Sequence, residues 1–424
     1  MKKITSTFCL YTAFLLFVSC QSLQTECPVI EIDNPAGSID LNISDLLDNI
    51  TIVPLETRDD LLLQTAGTTF TVTDHYILVK SSEKLLQFDR NGNYIRTLAN
   101  RGSGPNEFNM VMTSLTDEKR QVFYYADAKA NAPVACIDLN SGKFIAFPNP
   151  DLAPSSIREI DGEGNIYGYS SSSLISAGIV TSGIRVTGVS ATLQKAPDSL
   201  ALAYIYDPYD NRTTTLQGKH TFDADSRRPM LFRQGDFVSF LFFPYSDTLY
   251  RLDGGAMIPQ YVLKLKNQMT DMQKGGITLD FTVSGNWGSI ISLRDSKVTI
   301  IESGGTISSI TVLRPLKAYL LIDRNRALHT IRSLTIDPIA LTIDIVDYIK
   351  LTSEQRDNKI KIQPMPAVSG KWGHFNIEAS DMTALINQAL ESNKLSAVQR
   401  KTLQEVAAKI DDDSNPVLII GKIK

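Results

Sequence analysis

The stretch from Thr68 to Phe108 constrains the fold more than any other part of the chain. Four short runs, TTFTV (68–72), HYILVK (75–80), KLLQFD (84–89) and NYIRTLA (93–99), are rich in β-branched, aromatic and aliphatic residues and are separated by polar turn residues. That pattern predicts a four-stranded antiparallel meander. Asn91-Gly92 tolerates positive φ and predicts a primed hairpin turn between the third and fourth strands. The following segment, Arg101-Gly102-Ser103-Gly104-Pro105-Asn106-Glu107-Phe108, favours no regular element and predicts a shaped loop.

The pattern recurs. The hairpin FDRNGNYI (88–95) is echoed by IDLNSGKFI (137–145), and the strand around Tyr76 is echoed near Val122 and Ile166, at spacings of 46 and 44 residues. Such periods belong to propeller blades. A second blade is expected over 111–147 and a third from Ile157, with Ser170 to Ser173 as a loop or ragged outer strand. Further blades are expected at 236–255, with Asp236 to Phe243 as an inner strand, and at 284–305 and 317–337. A chain of 424 residues exceeds a single ordinary core, and the recurrence favours one large repeat architecture. The expected fold is all-β: a six-bladed propeller of four-stranded antiparallel blades, with seven blades as the alternative.

A ring of blades must be pinned where its ends meet. ITIVPLE (50–56) and NPVLIIGKIK (415–424) are strands without a meander of their own, and pairing them in one sheet would close the ring and remove two exposed edges. Between them, apolar residues at helical spacing predict a small helical insertion over about 381–410. Ser396 and Gln399 form a capping box at the start of its second helix.

The sequence LLQFDRNGNYIRTLANRGSGPNEF resembles an NHL-type propeller repeat. It resembles still more the six-bladed β-propeller lipoproteins of Bacteroidota, in which a "PLET" segment follows the tether and an "NPVL" segment closes the chain. Asn106 stands where that family more often has Gly. The resemblance implies an outer-membrane lipoprotein and supplies no ligand.

The first residues carry an address. Lys2 and Lys3 precede an apolar run from Phe8 to Val18, too short to span a bilayer comfortably, and Phe17-Val18-Ser19-Cys20 resembles a lipobox. The expected organisation is a lipoprotein signal peptide over 1–19, lipid attachment (palmitate) at Cys20, an anchored tether and lead-in over 20–49, and the propeller over 50–424. The residues after Cys20 lack an acidic cluster, which favours the periplasmic leaflet of the outer membrane over the cell surface. The formal charge of −4 argues against a nucleic-acid partner. Cys27 and Cys136 are the one possible disulfide pair in the mature chain.

His75, His220, His329 and His374 show no HxH or HExxH spacing, and no GxSxG or P-loop motif occurs, so neither metal nor cofactor is expected and no residue is assigned a catalytic role. The acidic runs 59–60 and 411–413 read as solvated turns. Glu56, Arg101 and Glu107 either form a structural ion pair or line the mouth of the channel. Alternating aromatics such as Phe123, Tyr124 and Tyr125 are expected to pack between blades, while Arg101, Glu107, Tyr167 and Tyr169 are the candidate ligand-binding residues. The expected function is non-enzymatic: an envelope binding or scaffold module for a glycan, peptide or partner protein. A hydrolase or lyase with its site at the axial channel is the alternative.

Overall fold

The computed structural model describes residues 27–424 except 129–133, 146–156, 191–203, 206–217, 222–229, 242–247, 265–276, 311–317, 346–361 and shorter runs of one to four residues; residues 1–26 lie outside it. Five four-stranded antiparallel blades are present among the described residues. Blade one comprises Thr69–Val72, Tyr76–Lys80, Lys84–Asp89 and Tyr94–Asn100. Blade two comprises Val111–Asp117, Val122–Asp127, Ala135–Asp138 and Phe144–Ile145. Blade three comprises Ile157–Ile160, Asn165–Ser176, Ile179–Ser190 and Tyr204–Ile205, and blade four Met230–Gln234, Phe237–Leu241, Thr248–Asp253 and Ala256–Lys264.

The closing blade combines Ala367–Ser369, Trp372–Ile377 and Val417–Ile423 with Leu47–Pro54 from the other end of the chain. Val53 pairs with Leu418 and Ile52 with Ile419, which is the closure the sequence predicts. Two motifs fasten this seam. Asn415 is 1% exposed; its Oδ1 accepts from Leu63 N at 2.7 Å, its Nδ2 donates to Glu56 O at 2.7 Å and to Leu61 O at 2.9 Å, and its own N–H donates to Thr57 Oγ1 at 2.8 Å. The Glu56 carboxylate accepts from Tyr94 N at 2.8 Å and so joins the seam to blade one.

A further sheet holds Ile277–Gly285, Gly288–Asp295, Ala318–Ile322 and Leu328–Ile336, with Leu341–Asp344 also pairing on the last of these. The chain leaves this sheet midway to form the hairpin Val298–Glu302 and Ile307–Ile310, which pairs instead with Gly218–Thr221. Among the described residues, five uninterrupted blades therefore stand where six, or seven, were expected. The segments 284–305 and 317–337 are not two blades, because Gly288–Asp295 pairs with Ala318–Ile322.

Other local expectations are corrected too. Ser170 to Ser173 lie within the long strand Asn165–Ser176, paired residue by residue with Ile179–Ser190. The inner strand of blade four is Met230–Gln234, and Phe237–Leu241 is its second strand. The Asn91-Gly92 turn is not of the primed type: only Gly92 has positive φ (88°), Gly92 N donates to Asp89 O, and the Asp89 side chain accepts from the N–H groups of Asn91 and Asn93. Asp138, Ser141 and Gly142 repeat the device in blade two with one extra residue.

The segment 20–49 contains two edge strands. Val29–Glu31 runs parallel to the outer strand of blade four, and Gly37–Asn42 runs parallel to Leu328–Ile336. The core lies between blades: Phe123 and Tyr125 pack toward blade one with Leu78, Leu85 and Phe108, while Tyr124 packs toward blade three with Ile160. The helices Ala379–Glu391 and Ala397–Ala407 are inserted between two strands of the closing blade, and bury Met382, Leu385, Ile386, Leu403 and Val406 against it. Ser396 Oγ accepts from Gln399 N at 3.2 Å and Gln399 Oε1 from Ser396 N at 2.9 Å, completing the expected capping box. Cys27 and Cys136 are not joined in a disulfide.

Candidate functional site at the axial mouth

In an antiparallel meander the turns after the first and third strands lie on one face of the ring, and the loop leading to the next blade lies on the other. The inner strands of five blades end on the first of these faces. There they enclose a cavity of about 210 Å³ lined by Thr71, Val72, Ser114, Thr116, Glu118, Glu159, Arg233, Ser369 and Gly370, with Leu115, Ile160 and Val368 beneath. Two carboxyls and one guanidinium thus meet from blades two, three and four.

Their surroundings set their charge. Protein surrounds Glu159, though its surface stays partly open to the cavity; this desolvation raises its pKa to about 7, against the Ile160 N–H, which donates to its Oε1 at 3.0 Å, and against the pull of Arg233. Burial also raises the Glu118 pKa, opposed by Arg233, Lys371 and Arg90. Beside the cavity, Lys371 Nζ and Trp372 Nε1 donate to the two oxygens of Asp74 at 2.6 and 3.0 Å, which hold its carboxyl below the usual range despite partial burial. The Arg90 guanidinium lies 4.1 Å over the Trp372 ring. His374 is 2% exposed, and burial with Arg90 nearby lowers its pKa to about 4, so it is neutral. Thr116 Oγ1, Arg90 Nη1 and His374 Nδ1 are buried without a hydrogen-bond partner. A desolvated carboxyl titrating near neutrality can donate or accept a proton, and with Arg233 and the hydroxyls it can orient a polar ligand.

The residues singled out from the sequence lie elsewhere. Arg101 and Glu107 share the loop after blade one on the opposite face; Arg101 Nη1 pairs with Glu83 Oε1 at 3.0 Å, and Glu107 Oε2 accepts from Gly104 N at 2.6 Å. The two do not pair with each other, and neither lines the axial cavity; Glu107 is a brace for the loop. Asn106, in the place of Gly, has φ of 65°, a conformation Asn tolerates. Tyr167 and Tyr169 pair with Gly188 and Val186 through the backbone; their side chains, like Cys20, lie outside the described residues. Asp60 pairs with Arg58, and Asp411 accepts from Asp413 N and Ser414 Oγ, so both acidic runs shape turns. Among the described residues no group of three His, Cys, Asp or Glu is placed to hold a metal ion, and no helix is long and apolar enough to cross a membrane.

Radial four-stranded blades, a seam between the chain ends and an axial mouth define a β-propeller. The chain belongs to the family described as a domain of unknown function, DUF4934, whose model matches residues 27–422. Among solved structures it is similar to a Bacteroides fragilis protein assigned as exported, at 12% identity and a TM-score of 0.54, covering 92% of this chain and 98% of that one. U3-55K (9% identity, TM-score 0.36, covering 87% and 98%) and the RRP9 WD40 repeats (8%, 0.34, covering 85% and 99%) are more distant. The likeness to the Bacteroides fragilis protein bears on the fold alone. No curated protein matches the chain.

Proposed function

We propose that this protein is a lipid-anchored binding module of the cell envelope that receives a small polar group of a glycan, peptide or partner protein at its axial mouth. The observation carrying this reading is the convergence of Glu118, Glu159 and Arg233, with Thr71, Ser114, Thr116 and Ser369, on one cavity, whereas the described clusters between the blades are built from apolar side chains. Ser114→Trp fills the cavity from blade two and should abolish capture of the ligand from an envelope glycan or peptide array while leaving the melting temperature within a few degrees of the parent. Undiminished capture by that variant refutes the mouth as the site.

The anchor is Cys20, and the outer-membrane periplasmic leaflet is the proposed address. Cys27 lies seven positions after Cys20, a reach of at most ~25 Å, so the anchored ring stands close to the bilayer at the edge of blade four. Cys20→Ala should move the protein from membrane to soluble fractions; retention in membranes refutes the anchor. We assign the interrupted sheet as a sixth blade carrying an inserted hairpin, since its four strands keep the antiparallel inner-to-outer order of the others. An experimental structure with any other number of blades about the axis refutes that count.

One observation favours the second reading, a hydrolase or lyase: Glu159 titrates near 7 inside a cavity, as a general acid or base requires. Turnover of any glycoside or ester that is lost in Glu159→Gln would establish it over the binding module.

A further inference from the structure

Two comparable turns edge the mouth, each joining the inner strand of a blade to its second strand and each carrying an acid, yet they are built differently. In blade one the Thr73 hydroxyl closes the turn: Tyr76 N donates to Thr73 Oγ1 at 2.9 Å, and Thr73 N donates to Tyr76 O at 2.9 Å. None of Thr73, Asp74 and His75 takes positive φ, and the Asp74 carboxyl is matched by Lys371 and Trp372. In blade two the acid is Glu118. It lines the axial cavity, and among the described residues none donates a hydrogen bond to its carboxyl; burial and the charges of Arg233, Asp74, Lys371 and Arg90 act on it instead.

What holds Glu118 is therefore the turn that carries it. Before it, the buried Asp117 accepts from Arg120 N at 2.9 Å and from Arg120 Nη1 at 2.8 Å. After it, Gln121 takes φ of 57°, a left-handed conformation that is strained for any side chain of its kind. Gln121 O accepts from Leu139 N at 2.8 Å, which ties the turn to the end of the third strand, and Gln121 Nε2 donates back to Glu118 O at 2.5 Å. That side-chain bond leaves Gln121 Oε1 buried without a partner. Gln121 thus bears two local penalties while it grips the peptide that follows the Glu118 Cα. A glycine would remove the first penalty and a side chain turned to solvent the second. Backbone strain of this kind gathers at functional sites.

We propose that Gln121 is a positioning residue of the axial site: from its left-handed backbone it bonds the Glu118 carbonyl, fixes the rotation of the Glu118–Lys119 peptide, and so presents the Glu118 carboxyl to the polar group of a ligand. This rests on the binding reading above and names the residue that orders its site. A carboxyl that no protein donor holds must be placed by its backbone, and placing it in advance spares the ligand the cost of ordering it. In blade one the same task falls to Lys371 and Trp372, which hold Asp74 directly and take it out of use.

Two variants of the full chain test this. Gln121→Gly keeps the backbone free to take the same φ and removes the bond to Glu118 O; Gln121→Asn tolerates the same φ, but its side chain is one methylene too short for that bond. Each is compared with the parent in melting temperature, in the titration of the Glu118 carboxyl followed by carbon-13 NMR of protein labelled at glutamate Cδ and assigned with Glu118→Gln, and in capture from an array of envelope glycans and peptides. The expected result is a melting temperature within a few degrees of the parent, a Glu118 midpoint that falls toward the ordinary carboxylate value as the side chain swings to solvent, and capture reduced at least fivefold. A midpoint unmoved in both variants overturns the positioning role. A moved midpoint with undiminished capture overturns it as well, and leaves the binding module standing so long as Ser114→Trp abolishes capture. Melting more than ten degrees below the parent in both variants would make Gln121 a folding residue and overturn the proposal. A parent that captures nothing fails the binding reading and this proposal with it.

Discussion

The seam and the axial mouth are formed by strands of the same closing blade, yet they treat buried polar groups in opposite ways. At the seam, the side-chain amide of Asn415 is matched on both its oxygen and its nitrogen, and the strands beside it bury Leu418, Ile419 and Ile420 completely. At the mouth, Thr116, Arg90 and His374 keep unmatched atoms, and two carboxyls are held away from their ordinary titration. A scaffold gains from satisfying every buried donor and acceptor. Unmatched atoms also occur inside blade one, at Gln87 Oε1, and in the Glu118 turn of blade two, at Gln121 Oε1, but those at the mouth adjoin displaced carboxyls and a cavity, so substitutions at the two places should differ in kind.

The largest effect should come from the seam. Deleting 415–424 removes the strand between Trp372–Ile377 and Leu47–Pro54, so the closing blade loses its centre and the ring its pin. The expected outcome is loss of the cooperative thermal transition by circular dichroism; a truncated protein that melts like the parent breaks the comparison. Asn415→Ala is the next largest. It strands the Leu63 N–H and the Glu56 and Leu61 carbonyls in a buried site, which should cost about 3–5 kcal/mol in denaturant unfolding, at roughly 1–3 kcal/mol per unmet group. Gly92→Ala follows: the residue has φ of 88°, and a Cβ would collide with the Pro54 carbonyl where blade one meets the seam. A loss of about 2–3 kcal/mol is expected, and a loss under 0.5 kcal/mol would mean that the turn does not bear on the seam.

The same division explains what the sequence revealed. Blade one, blade two and the seam were legible because their signals are local: strand runs bounded by turns, the Asp89 and Asp138 hairpins, and the paired segments around Val53 and Leu418. The turn type at Asn91-Gly92 was misread because an Asp at the start of the loop captures the N–H groups of Asn91 and Asn93 and leaves only Gly92 at positive φ. The edge strands at 29–31 and 37–42 were hidden because their partners lie more than 200 residues away. The mouth was illegible for a related reason. Glu118, Glu159 and Arg233 belong to no motif and converge only because each ends, or immediately follows, an inner strand. That shared position was the available signal; Arg101 and Glu107 drew attention instead because their loop has a recognisable shape, which Glu107 itself maintains.

The smallest effects should appear at the mouth, and they depend on pH with opposite signs. His374 has a folded pKa of about 4 against an unfolded value near 6.5, so between these values the unfolded chain binds more protons and stability falls as pH falls. At pH 5 the loss should be about 2 kcal/mol relative to pH 7.5, because protonation places a second cation beside Arg90 in a buried site. His374→Gln should abolish that slope. Glu159 is raised from about 4.5 to about 7, so the folded protein holds the proton that the unfolded chain releases, and its contribution to stability declines as pH rises through this window. Glu159→Gln should therefore match the parent below pH 4.5 and exceed it modestly at pH 8, since the cavity already screens part of the penalty. A parent more stable than Glu159→Gln at pH 8 would mean that this carboxylate is satisfied within the protein like Asn415, and the contrast between seam and mouth would fail at its most specific point.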